Sequence, residues 1–218
     1  MSPTYDRSDS KVEVTGLEAR HYDFLMNTIT AGTYPFFIRR VVRKMRIQPD
    51  DEILVLGSGT GRNICLMNKY LSEGGRVLGL DIGPEMLEQS QRRFTHHPHI
   101  TIENRRVEEP LPYQCEFDKV FISFVLHGFI QEDRLQIIAN AKHALRPGGE
   151  FIILDYNEFD LKHSPWLGRI VFKMECPLAT DFIGRDLQAI LREQGFDEFR
   201  THPHYLGYVR LLTARKAV

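Results

Sequence analysis

The run DDEILVLGSGTGRN, residues 50–63, decides how the rest of the chain is laid out. An apolar strand, ILVL at 53–56, ends directly in three alternating glycines, Gly57, Gly59 and Gly61, and a helical pattern begins at once. Glycines leave no Cβ between backbone and ligand, so the loop brings amide groups and a helix N-terminus close to a bound molecule. At the carboxyl end of a strand in an open α/β sheet, such a loop lines the nucleotide crevice. Further apolar runs follow at intervals: RVLGL (76–80), HITIE (99–103), KVFISF (119–124) and EFIIL (150–154). Helical patterns over 61–72, 84–94 and 132–145 separate them. Continuous apolar strands alternating with helices indicate a parallel sheet covered on both faces. The expected fold class is therefore α/β, a single Rossmann-like doubly wound domain.

Upstream of the glycine loop, helices are predicted over 17–31 and 34–45, the second carrying Phe37, Val41 and Met45 on one face. Its other face is basic, with Arg39, Arg40, Arg43, Lys44 and Arg46. Such a face can form an anion or membrane patch, or simply complement the dipole in the last turns of the helix. Downstream, residues 155–182 read as loop with one helix, and 185–194 as a helix. Strands near 198–202 and 208–214 have no long helix between them and should pair antiparallel.

The second strand ends at Asp81, 20 residues after Gly61. A carboxylate there can accept hydrogen bonds from both hydroxyls of a ribose and disfavours a 2′-phosphate. Gly83 and Pro84 then open the next helix, with proline where its missing N–H costs little. A dinucleotide fingerprint needs G-x-G-x-x-G, but this loop is G-x-G-x-G followed by Arg62, which disfavours a nicotinamide oxidoreductase. No P-loop lysine and hydroxyl follow either.

With VLGSGTGRN (55–63), VLGLDIGPEML (77–87) and LRPGGEFIIL (145–154) in this order, the chain resembles the class I S-adenosylmethionine-dependent methyltransferases. The last piece carries Pro147 and Gly148 at the two centres expected of a type II turn. FVLHGF at 124–129 is most similar to the UbiE-like branch, which includes methyltransferases of quinone precursors. The resemblance implies a seven-stranded sheet of order 3-2-1-4-5-7-6 with strand 7 antiparallel, and S-adenosyl-L-methionine as cofactor. It further implies that Gly57, Ser58, Gly59 and Gly61 wrap the methionyl part, that Asp81 holds the ribose, and that Ile82 and Met86 flank the adenine. Ser123 and Phe124 would lie beside the methionyl group and His127 near the sulfonium. Family members often carry Asp or Asn followed by Ala after the third strand; here Val107 and Glu108 stand in that region and offer backbone contacts instead. Tyr22 is the first candidate for a lid over the cofactor, and Tyr34 the second.

Length and charge bound the alternatives. The chain has 218 residues, with 28 Lys plus Arg against 29 Asp plus Glu, so its formal net charge is -1. One domain, 1–218, is expected: a helical cap at 1–48, a cofactor-binding core at 49–218, and substrate loops at about 155–182. Near-neutrality and the lack of a basic stripe interleaved with aromatics disfavour nucleic acid and point to a small-molecule acceptor. Apolar stretches at 24–38 and 120–131 are too short to cross a bilayer, although transient membrane contact is compatible with the pattern. The opening MSPTYDRSDSKVEV lacks the basic start and apolar core of a signal peptide, and three dispersed cysteines fit reduced thiols. A cytoplasmic location is expected.

Methyl transfer from a sulfonium is an in-line displacement with a neutral leaving group, so alignment and desolvation dominate and no metal is needed. A base is required only if the acceptor must lose a proton. His127, after the fourth strand, and Tyr156, after the fifth, are the catalytic candidates, with Asp155 and Glu158 also after the fifth strand and His204 or Tyr205 before the last. Trp166, Phe172 and Met174 fit either an apolar wall for an aromatic or lipid-like substrate or simply core. The His-Pro-His triplets at 97–99 and 202–204 lack a metal-ligand pattern, so no metal is expected. A noncatalytic cofactor-binding module serving a protein partner is the competing reading.

Overall fold

The computed structural model describes residues 33–161 and 177–217; Tyr22, the helix expected over 17–31, and Trp166, Phe172 and Met174 lie outside them. Seven strands, β1 (Glu52–Leu56), β2 (Arg76–Asp81), β3 (Ile100–Asn104), β4 (Phe117–Ser123), β5 (Leu145–Tyr156), β6 (Phe196–His204) and β7 (Val209–Lys216), form one sheet of order β3-β2-β1-β4-β5-β7-β6. β1 pairs parallel with both β2 and β4, and β7 runs antiparallel between β5 and β6. The strand order reverses beside β1, which opens the crevice at the carboxyl ends of β1 and β4.

Two cores explain why the central strands read as unbroken apolar runs. Leu54, Leu56, Val120, Ile122, Phe151 and Ile153 face one layer, while Ile53, Val55, Phe121, Ile152 and Leu154 face the other. This alternation is the two-residue period of a strand, with both faces dry. The first layer is closed by α4 (Gln131–Ala144), α5 (Pro177–Ile183) and α6 (Leu187–Glu193). The second is closed by α1 (Tyr34–Lys44), α2 (Arg62–Met67) and α3 (Pro84–Phe94).

Several boundaries differ from the sequence-based expectation for tertiary reasons. α2 stops at Met67 instead of reaching Ser72, because the Ser72 amide bonds Pro49 O at 2.7 Å and its hydroxyl bonds Asp50 at 2.6 Å. β5 begins at Leu145, five residues before the expected start, and takes the Pro147-Gly148 kink into its irregular pairing with β4. α6 starts at Leu187, where the Asp186 carboxylate accepts from the Ala189 amide at 2.9 Å as an N-cap. The terminal strands are longer than expected and are joined by a tight turn, Tyr205–Gly207, in which Tyr205 and Leu206 take left-handed backbone.

Candidate functional site

The glycine loop, the β2 terminus and the end of β4 converge on one cavity. Its lining includes Gly57, Ser58, Gly59, Asp81, Ile82, Met86, Val107, Glu108, Ser123 and Phe124, all expected from sequence. Tyr34, the second lid candidate, joins them. The Asp81 carboxylate ties the two loops together, accepting from the Gly59 amide at 2.7 Å and from the Ile82 and Gly83 amides at 2.9 and 3.0 Å. Sequence spacing alone does not reveal this structural role.

Gly61 lies outside the lining. Its φ is +77°, and a Cβ there would stand 2.5 Å from Phe94 Cε2, so its glycine serves the packing of α2 against α3. Gly61→Ala is expected to destabilise the fold by about 1–3 kcal/mol through strain and overpacking. A lowered denaturant midpoint with unchanged m-value checks this.

The cavity fits a polar, amphipathic ligand. Ser58 Oγ and Asn63 Oδ1 are buried in its wall with no hydrogen-bond partner among the described residues, and buried polar atoms rarely stay unpaired. A Cβ on Gly59 would meet nothing within 4 Å, so the loop is open towards a bound group. The Arg62 guanidinium stacks on the Tyr34 ring at 4.9 Å and supplies positive charge to the wall. Phe124 holds φ at +52° where β4 leaves the sheet, while its amide bonds Leu154 O at 2.8 Å. Left-handed backbone at a bulky residue is concentrated at functional sites.

On the β3 side of the cavity, Asn140 of α4 donates to the carbonyls of Val107 and Glu109 at 2.8 and 2.7 Å and fixes that loop. Glu108 pairs with Arg106. Burial pushes the Tyr113 phenol up to about 12, helped by its bond to Glu103, which keeps it protonated. Thr60, Val125 and Phe129 also line the cavity; they lie inside the glycine-loop and FVLHGF motifs, but nothing in their residue types marks them as ligand contacts.

His127 and Tyr156 lie outside that lining, on the adjoining carboxyl ends of β4 and β5. His127 sits in a 3-10 turn, Leu126–Gly128, with its Nδ1 2.7 Å from Asp155 Oδ1. Asp155 is 1% exposed, yet it also accepts from the amides of His127 and Tyr156 at 3.2 and 2.8 Å. In the tautomer with its proton on Nδ1, His127 donates to this carboxylate and would present Nε2 as the acceptor nitrogen. The Tyr156 ring lies 4.8 Å from the His127 ring and 6.1 Å from Phe124, linking the dyad to the cavity wall.

Arg134 of α4 buttresses the dyad. Only 2% exposed, it donates to the carbonyls of Leu126, His127 and Leu178 at 3.2, 3.1 and 2.8 Å and to Asp181 at 2.7 Å. Burial lowers its pKa, and the bond to Asp181 works against that shift. The remaining acid and base candidates have other partners. Glu158 forms a two-pronged pair with Arg210, 2.6 Å on each arm, and accepts from the Leu187 amide at the start of α6. His204 and Tyr205 pack on Phe37 of α1, with ring centres 5.1 and 4.8 Å away. Among the described residues no His, Cys, Asp and Glu group has a metal-binding arrangement.

Comparison with known proteins agrees with this architecture. A methyltransferase domain family matches residues 53–149. The ubiquinone/menaquinone biosynthesis C-methyltransferase UbiE of Bordetella avium (strain 197N) is 25% identical over 181 residues, covering 78% of this chain and 70% of that protein. An uncharacterized methyltransferase of Synechocystis sp. is 27% identical over 191 residues, 86% of each. A SAM dependent methyltransferase from Aquifex aeolicus shares the fold at a TM-score of 0.62 and 17% identity, over 82% of this chain and 88% of its own. Motif order, strand order and relatives together support an S-adenosyl-L-methionine-dependent methyltransferase of class I architecture, similar to the UbiE enzymes.

Proposed function

We propose that the enzyme methylates a small amphipathic acceptor of the quinone-precursor type, with His127 as the base that accepts the acceptor's proton. The observation that carries this reading is the buried Asp155 carboxylate bonded to His127 Nδ1 beside the cofactor cavity. A reactive ring carbon or phenol must lose a proton on methylation, whereas a neutral amine can attack as it stands. An oriented, carboxylate-backed imidazole suits the former. Tyr156 would form part of the acceptor's wall, stacked on His127.

The cofactor supplies an electrophilic methyl group on a sulfonium. Asp81 would hold its ribose; Ile82 and Met86 would flank the adenine with the 107–108 backbone alongside. Ser58, Arg62 and Asn63 would meet the methionyl end, where the Asn63 amide oxygen requires a donor, the Ser58 hydroxyl can donate or accept, and the guanidinium suits a carboxylate. Gly57, Gly59, Ser123 and Phe124 would exclude water around the sulfonium. A cytoplasmic setting is part of the proposal and is supported by Cys65 and Cys115 being free thiols; no described helix is long and apolar enough to cross a membrane.

A screen with methyl-labelled cofactor against quinols, phenols, amines and thiols tests the acceptor. Label in quinol or phenol products supports the reading, and label confined to amines or thiols overturns it. Arg134→Lys is expected to lower kcat by roughly tenfold or more while cofactor Kd stays within about twofold, because the compact ammonium cannot hold three carbonyls at once. Steady-state kinetics beside calorimetric titration measure the split; an equal loss in both makes Arg134 a general structural group.

A further inference from the structure

A second surface begins at the same end of the sheet as the His127–Asp155 pair, at the 205–207 turn, and runs along α1 towards the start of β1. On α1 the residues Phe36, Arg39, Arg40, Arg43 and Lys44 are all exposed, with Arg46 just beyond. At 100° per residue these five helical positions occupy an arc of about 140°, opposite the buried Ile38, Val41 and Val42. None of the five cations is paired with a carboxylate among the described residues. Dipole complementation accounts for Arg43 and Lys44 in the last turn, but not for Arg39, Arg40 and Arg46.

The turn between β6 and β7 continues this face. Phe37 of α1 packs on His204 and Tyr205, and beyond them Leu206 stands 99% exposed. Phe36 is 72% exposed at the middle of the basic arc. The local field is positive throughout. Burial lowers the pKa of His204, with the charges of Arg40, His202 and Lys44 adding to the shift; burial also lowers His202, helped by Lys44, Arg200 and Arg46. Asn157, just past β5, donates to the Gly207 carbonyl at 2.9 Å, and Tyr156 pairs across the sheet with Val209. Tyr34, which lines the cofactor cavity, opens α1.

We propose that the basic face of α1 and the Tyr205–Gly207 turn form a docking surface for an anionic lipid bilayer. Unpaired cations with projecting apolar side chains among them are the pattern of an interfacial anchor: the charges meet the headgroups, and Phe36 and Leu206 enter the acyl boundary. A nucleic-acid surface would use stacking rings in place of a fully exposed aliphatic side chain. The formal net charge of -1 leaves the attraction to this local patch alone. Docked in this way, the enzyme would lay the α1 side of its sheet along the membrane, with the Tyr34 edge of the cavity beside the bilayer in which an amphipathic acceptor partitions. The proposal deepens the acceptor reading and rests on it for its benefit to turnover; vesicle binding itself is measured without turnover, so either can fail alone.

Co-sedimentation of the full chain with phosphatidylcholine vesicles, with and without phosphatidylglycerol, tests the surface. Binding should require the anionic lipid and be released by high salt. Neutralising three cations, as Arg39→Gln, Arg43→Gln and Lys44→Gln together, should weaken binding roughly a hundredfold. Leu206→Asp should weaken it roughly tenfold; aspartate tolerates the left-handed backbone at that position, where φ is 58°. Unchanged cofactor affinity in both variants would show the fold intact. Indifference of the full chain to anionic vesicles, equal binding by the variants, or preference for polyuridylate over vesicles in the same buffer would each overturn the proposal.

Discussion

Asp81→Ala is expected to weaken S-adenosylmethionine binding by about a hundredfold in calorimetric titration. Its carboxylate accepts three backbone amides, from Gly59, Ile82 and Gly83, and so sets the width of the cavity before any ligand arrives. Hydrogen bonds to a charged partner contribute about 1.5–3 kcal/mol each, and a buried donor left unpaired costs a similar amount. Truncation therefore loosens the glycine loop and removes the acceptor proposed for the ribose. Asp81→Asn is the sharper variant, since an amide donor facing the Gly59 N–H would repel it. Binding as tight as the parent's in both variants would remove Asp81 from the cofactor site.

His127→Ala should lower kcat by roughly a hundredfold to ten-thousandfold, the range for loss of a general base, with cofactor Kd changed by less than about threefold. His127 lies beside the cavity wall rather than in it, so the split between turnover and cofactor affinity is the deciding readout. Asp155→Asn should cost a comparable part of kcat, because an amide cannot select the tautomer in which Nδ1 carries the proton. The pair should behave as one unit: the double variant is expected to lose little more than the worse single variant. Additive losses, or a drop in cofactor affinity that matches the drop in kcat, would assign His127 to binding or to structure.

Local signals located much of the cavity. The wall residues from Gly57 to Phe124 follow from the order of glycine loop, acid and fourth strand, because each is written within a few residues. α3 runs from Pro84 to Phe94 as expected, since proline at its first turn and an apolar periodicity specify both limits. Gly61 is the instructive exception: the same glycine signal serves helix packing against Phe94, a distinction that depends on a side chain 33 positions away. Asp155 reads in sequence as an ordinary acid at the end of a strand, yet it is buried under His127. Glu158 is absorbed by Arg210, 52 residues further on.

Strand period, glycine placement and turn chemistry are properties of neighbouring residues, so sequence by itself determined the doubly wound sheet and its nucleoside crevice, and the resemblance of its ordered motifs to class I methyltransferases named the cofactor. Tertiary structure alone decided which polar groups meet. His127 and Asp155 are 28 residues apart and become partners because β4 and β5 are adjacent strands. Arg134 reaches the Leu178 carbonyl across 44 residues because α4 and α5 cover the same sheet face. The basic face of α1 meets the 205–207 turn through the contact of Phe37 with His204 and Tyr205. Such meetings follow from burying two apolar faces at once, a condition set by the whole chain and by no single segment.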